Sequence, residues 1–241
     1  MLTFAGGFED AKRELERAIE FGHEQGKTYS WMHGALVDLA GFTLQNDGAM
    51  QHARAGVAAA EQFGSPFFTA LAARSLGRAY MLEERWPEAI ASLEQALGLI
   101  RETRTAVELE GVVLALLAEA QLAAGDGERA RALAEEGVRI GEKRHTRLSE
   151  THARLALAHI LLCTQGTRES AAVSEELGRV SALIEETGAR SYLPFVYMAR
   201  AELANAEGDA ATRERELLQA RDLFQEMGAP VQAERINARL G

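Results

Sequence analysis

The chain has 241 residues, 47% hydrophobic and only 6% aromatic, with a formal net charge of −10 and a pI of about 5.2. An acidic surface without a basic stripe argues against nucleic acid as a partner, and no run approaches the ~18 apolar residues that would span a membrane. The single cysteine, Cys163 in the run Ile160-Leu161-Leu162-Cys163, excludes an intramolecular disulfide and reads as a buried small hydrophobe of a reducing compartment. We therefore expect a soluble, cytoplasmic protein.

Turn positions recur at Gly6, Gly48, Glu84, Gly125, Gly166 and Gly208, in steps of 42, 36, 41, 41 and 42 residues. Such self-similarity marks a stacked repeat array, with one helix before and one after each turn. Met1–Gly7 has neither the basic region nor the long apolar run of a secretory leader. Phe8-Glu9-Asp10-Ala11, Leu15 and Ala18-Ile19 read as the second helix of a hairpin whose first helix is missing, as in a fragment or a shortened array. Gly22-His23-Glu24-Gln25-Gly26-Lys27-Thr28 is close to a phosphate-binding loop. It has one residue too few between its glycines, however, and follows a helix, so we read a turn that binds no nucleotide.

A helix over Ala35–Asn46 precedes Ala53, Val57 and Ala60. The next helix starts with Ser65 as N-cap and Pro66 at its first position, and carries Leu76-Gly77-x-x-Tyr80. Its partner begins at Trp86-Pro87 and carries Ala89, Leu93 and Ala96-Leu97. Thr105-x-x-Glu108 is a capping-box pattern. Leu117-Ala118 leads to Gly125-Asp126, Ala130, Ala134 and Gly137; the match of Gly125–Ala130 to a dinucleotide loop lacks the preceding strand that motif needs. His145, His152 and His159 are seven residues apart, ~10.5 Å per step on a helix, too far for one metal ion. The helix after Gly166 is delayed and ends at Thr187-Gly188. Asp209 caps the last full helix, with Leu217, Ala220 and Leu223 following. Gly26, Gly64, Gly188 and Gly228 suit helix C-termini. In the tail, Ala233, Ile236 and Leu240 share one face, so 229–241 is expected to be a capping helix that covers the end of the array.

The small residues Gly77, Ala89 and Ala96, the aromatic Tyr80 and the turn between them resemble the tetratricopeptide repeat (TPR). The longer period, and the ending Leu223-Phe224-Gln225-Glu226-Met227-Gly228-Ala229-Pro230, are similar to the C-terminal TPR regions of two signalling families. These are the maltose-activator-like STAND ATPase regulators and the class III adenylate/guanylate cyclases with ATPase and TPR domains. The resemblance implies an all-α, right-handed superhelix (solenoid) of about five TPR-like hairpins, in a single domain over 1–241.

In a TPR array the first helix of each hairpin lines the concave face. Carried over residue by residue, this gives Asp38, Phe42 and Gln45; Arg74, Arg78 and Met81; Glu119 and Leu122; and Met198, Glu202 and Asn205 as partner-binding candidates. The corresponding apolar positions of the fourth first-helix are Ala156, Ile160 and Cys163. Arg74 and Arg78 either form a groove for an anionic partner or enter exposed ion pairs with Asp38 and Glu119. No nucleophilic elbow or catalytic constellation is present. The expected function is a non-catalytic protein-interaction scaffold or sensor arm of a signalling or transcriptional regulator, without cofactor or metal, binding a protein or peptide on its concave face. The alternatives are a small-molecule sensor, stacking its effector on Trp31, Phe42, Phe195 or Tyr197, and a self-assembly domain.

Overall fold

The computed structural model describes residue 5, residues 7–24 and residues 29–240. Gly6 and residues 25–28 lie outside the described residues, and with them the expected turn at Gly6, the expected helix C-terminus at Gly26 and the second half of the sequence close to a phosphate-binding motif. The fold is an all-α superhelix of TPR-like hairpins, with no strand among the described residues. The hairpins are α2 (Ser30–Thr43) with α3 (Ala49–Phe63), α4 (Pro66–Leu82) with α5 (Trp86–Thr103), and α6 (Glu110–Ala123) with α7 (Gly127–Arg144). They continue as α8 (Arg147–Gln165) with α9 (Ser170–Thr187) and α10 (Leu193–Glu207) with α11 (Ala210–Glu226). A preceding helix, α1 (Phe8–Glu24), and a following one, α12 (Pro230–Leu240), flank the five hairpins.

Every described turn position of the repeat has a left-handed backbone, with φ of 82° at Gly48, 58° at Glu84, 93° at Gly125, 57° at Gly166 and 80° at Gly208. At Glu84 a side chain occupies a conformation that costs ~1 kcal/mol without glycine. The turn is held by Arg85 N donating to Tyr80 O (2.9 Å) and Glu84 N to Met81 O (3.0 Å), which satisfy the last carbonyls of α4. Asp126 and Asp209 each accept the backbone N–H three residues on, at 2.9 Å, and cap α7 and α11. Thr105 does not cap. A 3-10 turn over Val107–Leu109 intervenes before α6, and Thr105 Oγ1 bonds Thr103 Oγ1 instead. A 3-10 turn over Gly166–Glu169 delays α9 in the same way.

Small residues set how closely the helices pack. A Cβ on Gly77 would sit 2.6 Å from Leu93 Cγ, so a side chain there would push α4 off α5. Leu93, Ala89 and Ala96 are fully buried in that contact. α2 ends at Thr43, three residues before the expected Asn46, and starts at Ser30, five residues before Ala35. Thr43 Oγ1 turns back onto Leu39 O and Leu44 takes the left-handed cap.

The superhelix closes on itself. Phe8 N at the start of α1 donates to Met227 O after α11 (3.2 Å). The Phe8 ring stacks on Phe42 of α2, which meets Tyr192 and Phe195 of the fifth hairpin edge-on, with centroids 5.3 and 6.1 Å apart. α12 buries Ala233 and Ile236 against this end. Its Gln232 Nε2 donates to Phe42 O, 190 residues away, at 3.1 Å. That carbonyl is one of the last four of α2, which have no partner within the helix. Gln232→Ala is therefore expected to cost about 1–2 kcal/mol, read as a lower urea midpoint. An unchanged midpoint would mean that water replaces the bond.

Candidate functional site: the lumen of the ring

Closure turns the concave face into a lumen. At one end lies a cavity of about 450 Å³. Its floor is Asp38 and Phe42 of α2, Arg74 and Arg78 of α4, His152 of α8 and Tyr192 before α10. Its rim is Glu108, Leu109 and Val112 at the start of α6 and His145–Ser149 at the start of α8.

The charges on the floor are unequally matched. Asp38 accepts a fork of two bonds from Arg74, Nη1 to Oδ1 at 2.8 Å and Nη2 to Oδ2 at 2.9 Å. The Arg74 side chain is 8% exposed. This is a buried ion pair, not the exposed one that would be worth less than ~1 kcal/mol. Burial works against both charges. The Arg74 guanidinium nevertheless holds Asp38 below the usual carboxylate range, and Asp38 in turn raises Arg74. Arg74→Ala is expected to destabilise by about 2 kcal/mol, less than a fully buried pair because Asp38 keeps partial exposure and Arg78 beside it. Denaturant unfolding checks this; a loss within ~0.5 kcal/mol would return the pair to the exposed class.

Arg78 is held differently. Its Nε is 3.7 Å from Asp38 Oδ1, beyond hydrogen-bond distance, and, like Arg74 Nε, is buried without a hydrogen-bond partner among the described residues. Its guanidinium lies over the Phe42 ring, 5.6 Å from the centroid. It also fills the space a side chain at Gly41 would need.

Burial, and then the charge of Arg78, push the His152 imidazole down to about 3, so it is neutral. Burial also raises the Tyr192 phenol, which stays protonated. Glu119 of α6, outside the lining of the cavity, is raised by burial, against the pull of His159 and Arg78. His159 is raised to about 9, chiefly by its hydrogen bond to Cys163 one turn on, with Glu119 and Glu202 adding to it against burial.

Several expectations change here. Cys163 is exposed, not a buried hydrophobe, and its thiol bonds the His159 ring on the same helix. Ala156 and Ile160 are buried in the helix packing, and His152 and His159 take their place on the open face of α8. Of the other candidates, Gln45 lines a separate cavity of about 80 Å³ near Phe8 and Lys12. Met81, Leu122 and Met198 lean on the core. Glu202 bonds Arg239 of α12 at 3.3 Å, and Asn205 is exposed. Trp31 is exposed at the start of α2 and is not among the residues lining the cavity. His145 ends α7 as its left-handed cap. Among the described residues no group of three or more His, Cys, Asp or Glu could hold a metal ion, and no helix is long and apolar enough to cross a membrane.

No protein-family model and no curated protein matches the sequence. Solved structures do match. A Rap protein complexed with competence and sporulation factor superposes with a TM-score of 0.65 at 15% identity, covering 100% of this chain and 74% of that one. The apo form of RapI gives 0.61 at 12% identity, covering 98% and 94%. A Podosopora anserina putative kinesin light chain of nearly identical TPR-like repeats gives 0.52 at 22% identity, covering 81% and 94%. At these identities the likeness is one of fold, and the fold it shows is a TPR-like repeat array.

Proposed function

We propose that the chain is a non-catalytic binding module that takes a peptide or protein segment into the lumen of its closed superhelix. The observation that carries this reading is the 450 Å³ cavity, floored by the buried cation Arg78 and walled by Leu109, Val112 and Leu148. Solenoids work through such concave surfaces, and a Rap protein of the same fold was solved in complex with a factor. On the resemblance of its sequence, the module serves as the sensor or scaffold arm of a cytoplasmic signalling or transcriptional regulator. The cavity volume also falls in the range of small-molecule sites, which keeps a small effector as the second reading.

Selection from a displayed library of random dodecapeptides, including a set with free C-termini, tests the proposal. Enriched peptides should bind the parent protein. They should lose at least tenfold in affinity on Val112→Trp, which fills the cavity, with the helical circular dichroism retained. Peptides that bind the variant and the parent alike would place recognition elsewhere.

A further inference from the structure

We propose that Arg78 is the anchor for a carboxylate carried on an apolar body, as at the C-terminus of a peptide that ends in apolar residues; this rests on the lumen reading above. Arg78 lies on the floor of the cavity with its side chain 12% exposed. Buried arginines are ordinarily answered by a hydrogen-bonded anion. Here Asp38 is committed to Arg74 by two bonds and stands 3.7 Å from Arg78 Nε. Glu119 feels the charge of Arg78, but among the described residues no ion pair joins the two, and the ion pair of Arg78 is the one to Asp38 at 3.7 Å. Two guanidinium groups thus share one carboxylate on the floor of the cavity, and the other carboxylate of its lining, Glu108, is exposed at the rim.

The geometry is preset. α2 carries glycine at 41, and the Arg78 guanidinium occupies the space its side chain would take, while the Phe42 ring supports the cation from one side. A planar guanidinium fixed in this way loses little freedom when it grips a carboxylate with two parallel bonds. The neighbouring groups agree with an anionic guest. The Tyr192 phenol keeps its proton, and the neutral His152 ring has one N–H to give. Above them Leu109, Val112 and Leu148 supply apolar walls. The chemistry shared by possible guests is a carboxylate followed by an apolar segment, so a free aliphatic acid could use the same anchor.

Calorimetric titration separates these cases. The probes are an N-acetylated hexapeptide ending in two leucines as the free acid, the same peptide as its C-terminal amide, and octanoate. The parent protein should bind the acid at least tenfold more tightly than the amide. Arg78→Met should abolish that difference while leaving the amide's affinity unchanged, and Gly41→Ala, which dislodges the guanidinium and keeps its charge, should reduce it. Tighter binding of the peptide acid than of octanoate assigns the anchor to a peptide terminus, and the reverse order assigns it to a small acid. Equal affinities of acid and amide for the parent protein would overturn the anchor, and this comparison needs no variant to fold. So would failure of the acid to bind at millimolar concentration. Either result leaves the lumen reading to the displayed library, whose internal peptide segments need no free carboxylate.

Discussion

Replacing Arg154 by alanine is expected to destabilise the array by about 3–5 kcal/mol, the cost of stranding a buried charge. Arg154 lies on α8 with its side chain 5% exposed, and it ties three helices together. Nε donates to Glu150 Oε1 (2.9 Å) on its own helix, Nη1 to Glu176 Oε2 (2.7 Å) on α9, and Nη2 to Glu142 on α7. Glu150 is fully buried, because Gly137 and Gly141 let α7 press so close that a Cβ at 141 would fall 2.8 Å from Glu150 Cα. Without Arg154, Glu150 keeps one contact, to Arg147 Nη1 at 3.3 Å. Arg154→Met restores volume but not charge, and should remain nearly as damaging. The double change Arg154→Met/Glu150→Met removes both members and should recover most of the loss, since the desolvation of a buried pair offsets much of its attraction. Guanidinium unfolding of the parent, Arg154→Met, Glu150→Met and the double variant gives the coupling. A loss below ~1 kcal/mol for Arg154→Ala would mean that the cluster behaves as a screened surface lattice.

The same cluster shows where sequence reasoning reached its limit. Arg–Glu pairs at helical spacing look alike whether they face water or an adjoining helix, and only the glycines at 137 and 141 hint that α7 and α8 touch. The turns were legible because a left-handed residue recurs at a fixed period, so that even Glu84 could be placed among glycines. Arg104 and His145 take the same backbone conformation between hairpins, yet their side chains announce nothing of the kind. The register of α8 was misread for a related reason. That helix is packed by neighbours on several sides, so apolar residues no longer mark a single inward face, and the polar His152 is the residue that lines the cavity, with His159 exposed two turns on. Ring closure was beyond reach. The bond from Gln232 to the Phe42 carbonyl joins residues 190 apart, and no local pattern encodes it. Arg78 was picked out by its i, i+4 spacing from Arg74, but that spacing makes the two arginines equivalent. The shared Asp38 makes them different: its carboxylate takes a two-bond fork from the Arg74 Nη atoms, while Arg78 stands 3.7 Å away, beyond hydrogen-bond distance.

Acid should weaken the fold well before the carboxylates titrate, and His152 is the main reason. Its imidazole is buried beside Tyr192, with ring centroids 5.8 Å apart, and faces Arg74, Arg78 and Asp38. Burial first, and Arg78 second, lower its pKa to about 3, while the Asp38 carboxylate opposes them. In the unfolded chain the ring titrates near ~6.5. Between these values the unfolded state holds the proton and the folded state does not. Stability is therefore fully present above ~6.5 and falls as the pH drops toward the folded value. At ~1.36 kcal/mol per unit, the loss from this one group between pH 7 and 5 is about 2 kcal/mol, and it reaches ~4 kcal/mol by pH 3. His52, lowered by partial burial, adds in the same direction, whereas Asp38, also lowered, contributes only below its ordinary carboxylate range. Glu119, raised by burial, and His159, raised to about 9, act in the opposite direction as the pH falls, so His152 is isolated by the difference between two proteins and not by the parent curve alone. His152→Gln removes the main titrating group, so its unfolding free energy should fall by about 2 kcal/mol less than that of the parent across this window, whatever the substitution costs at pH 7. Parallel curves for the two proteins would mean that the imidazole titrates alike in the folded and unfolded chain, near ~6.5, and that burial beside Arg78 does not hold it neutral.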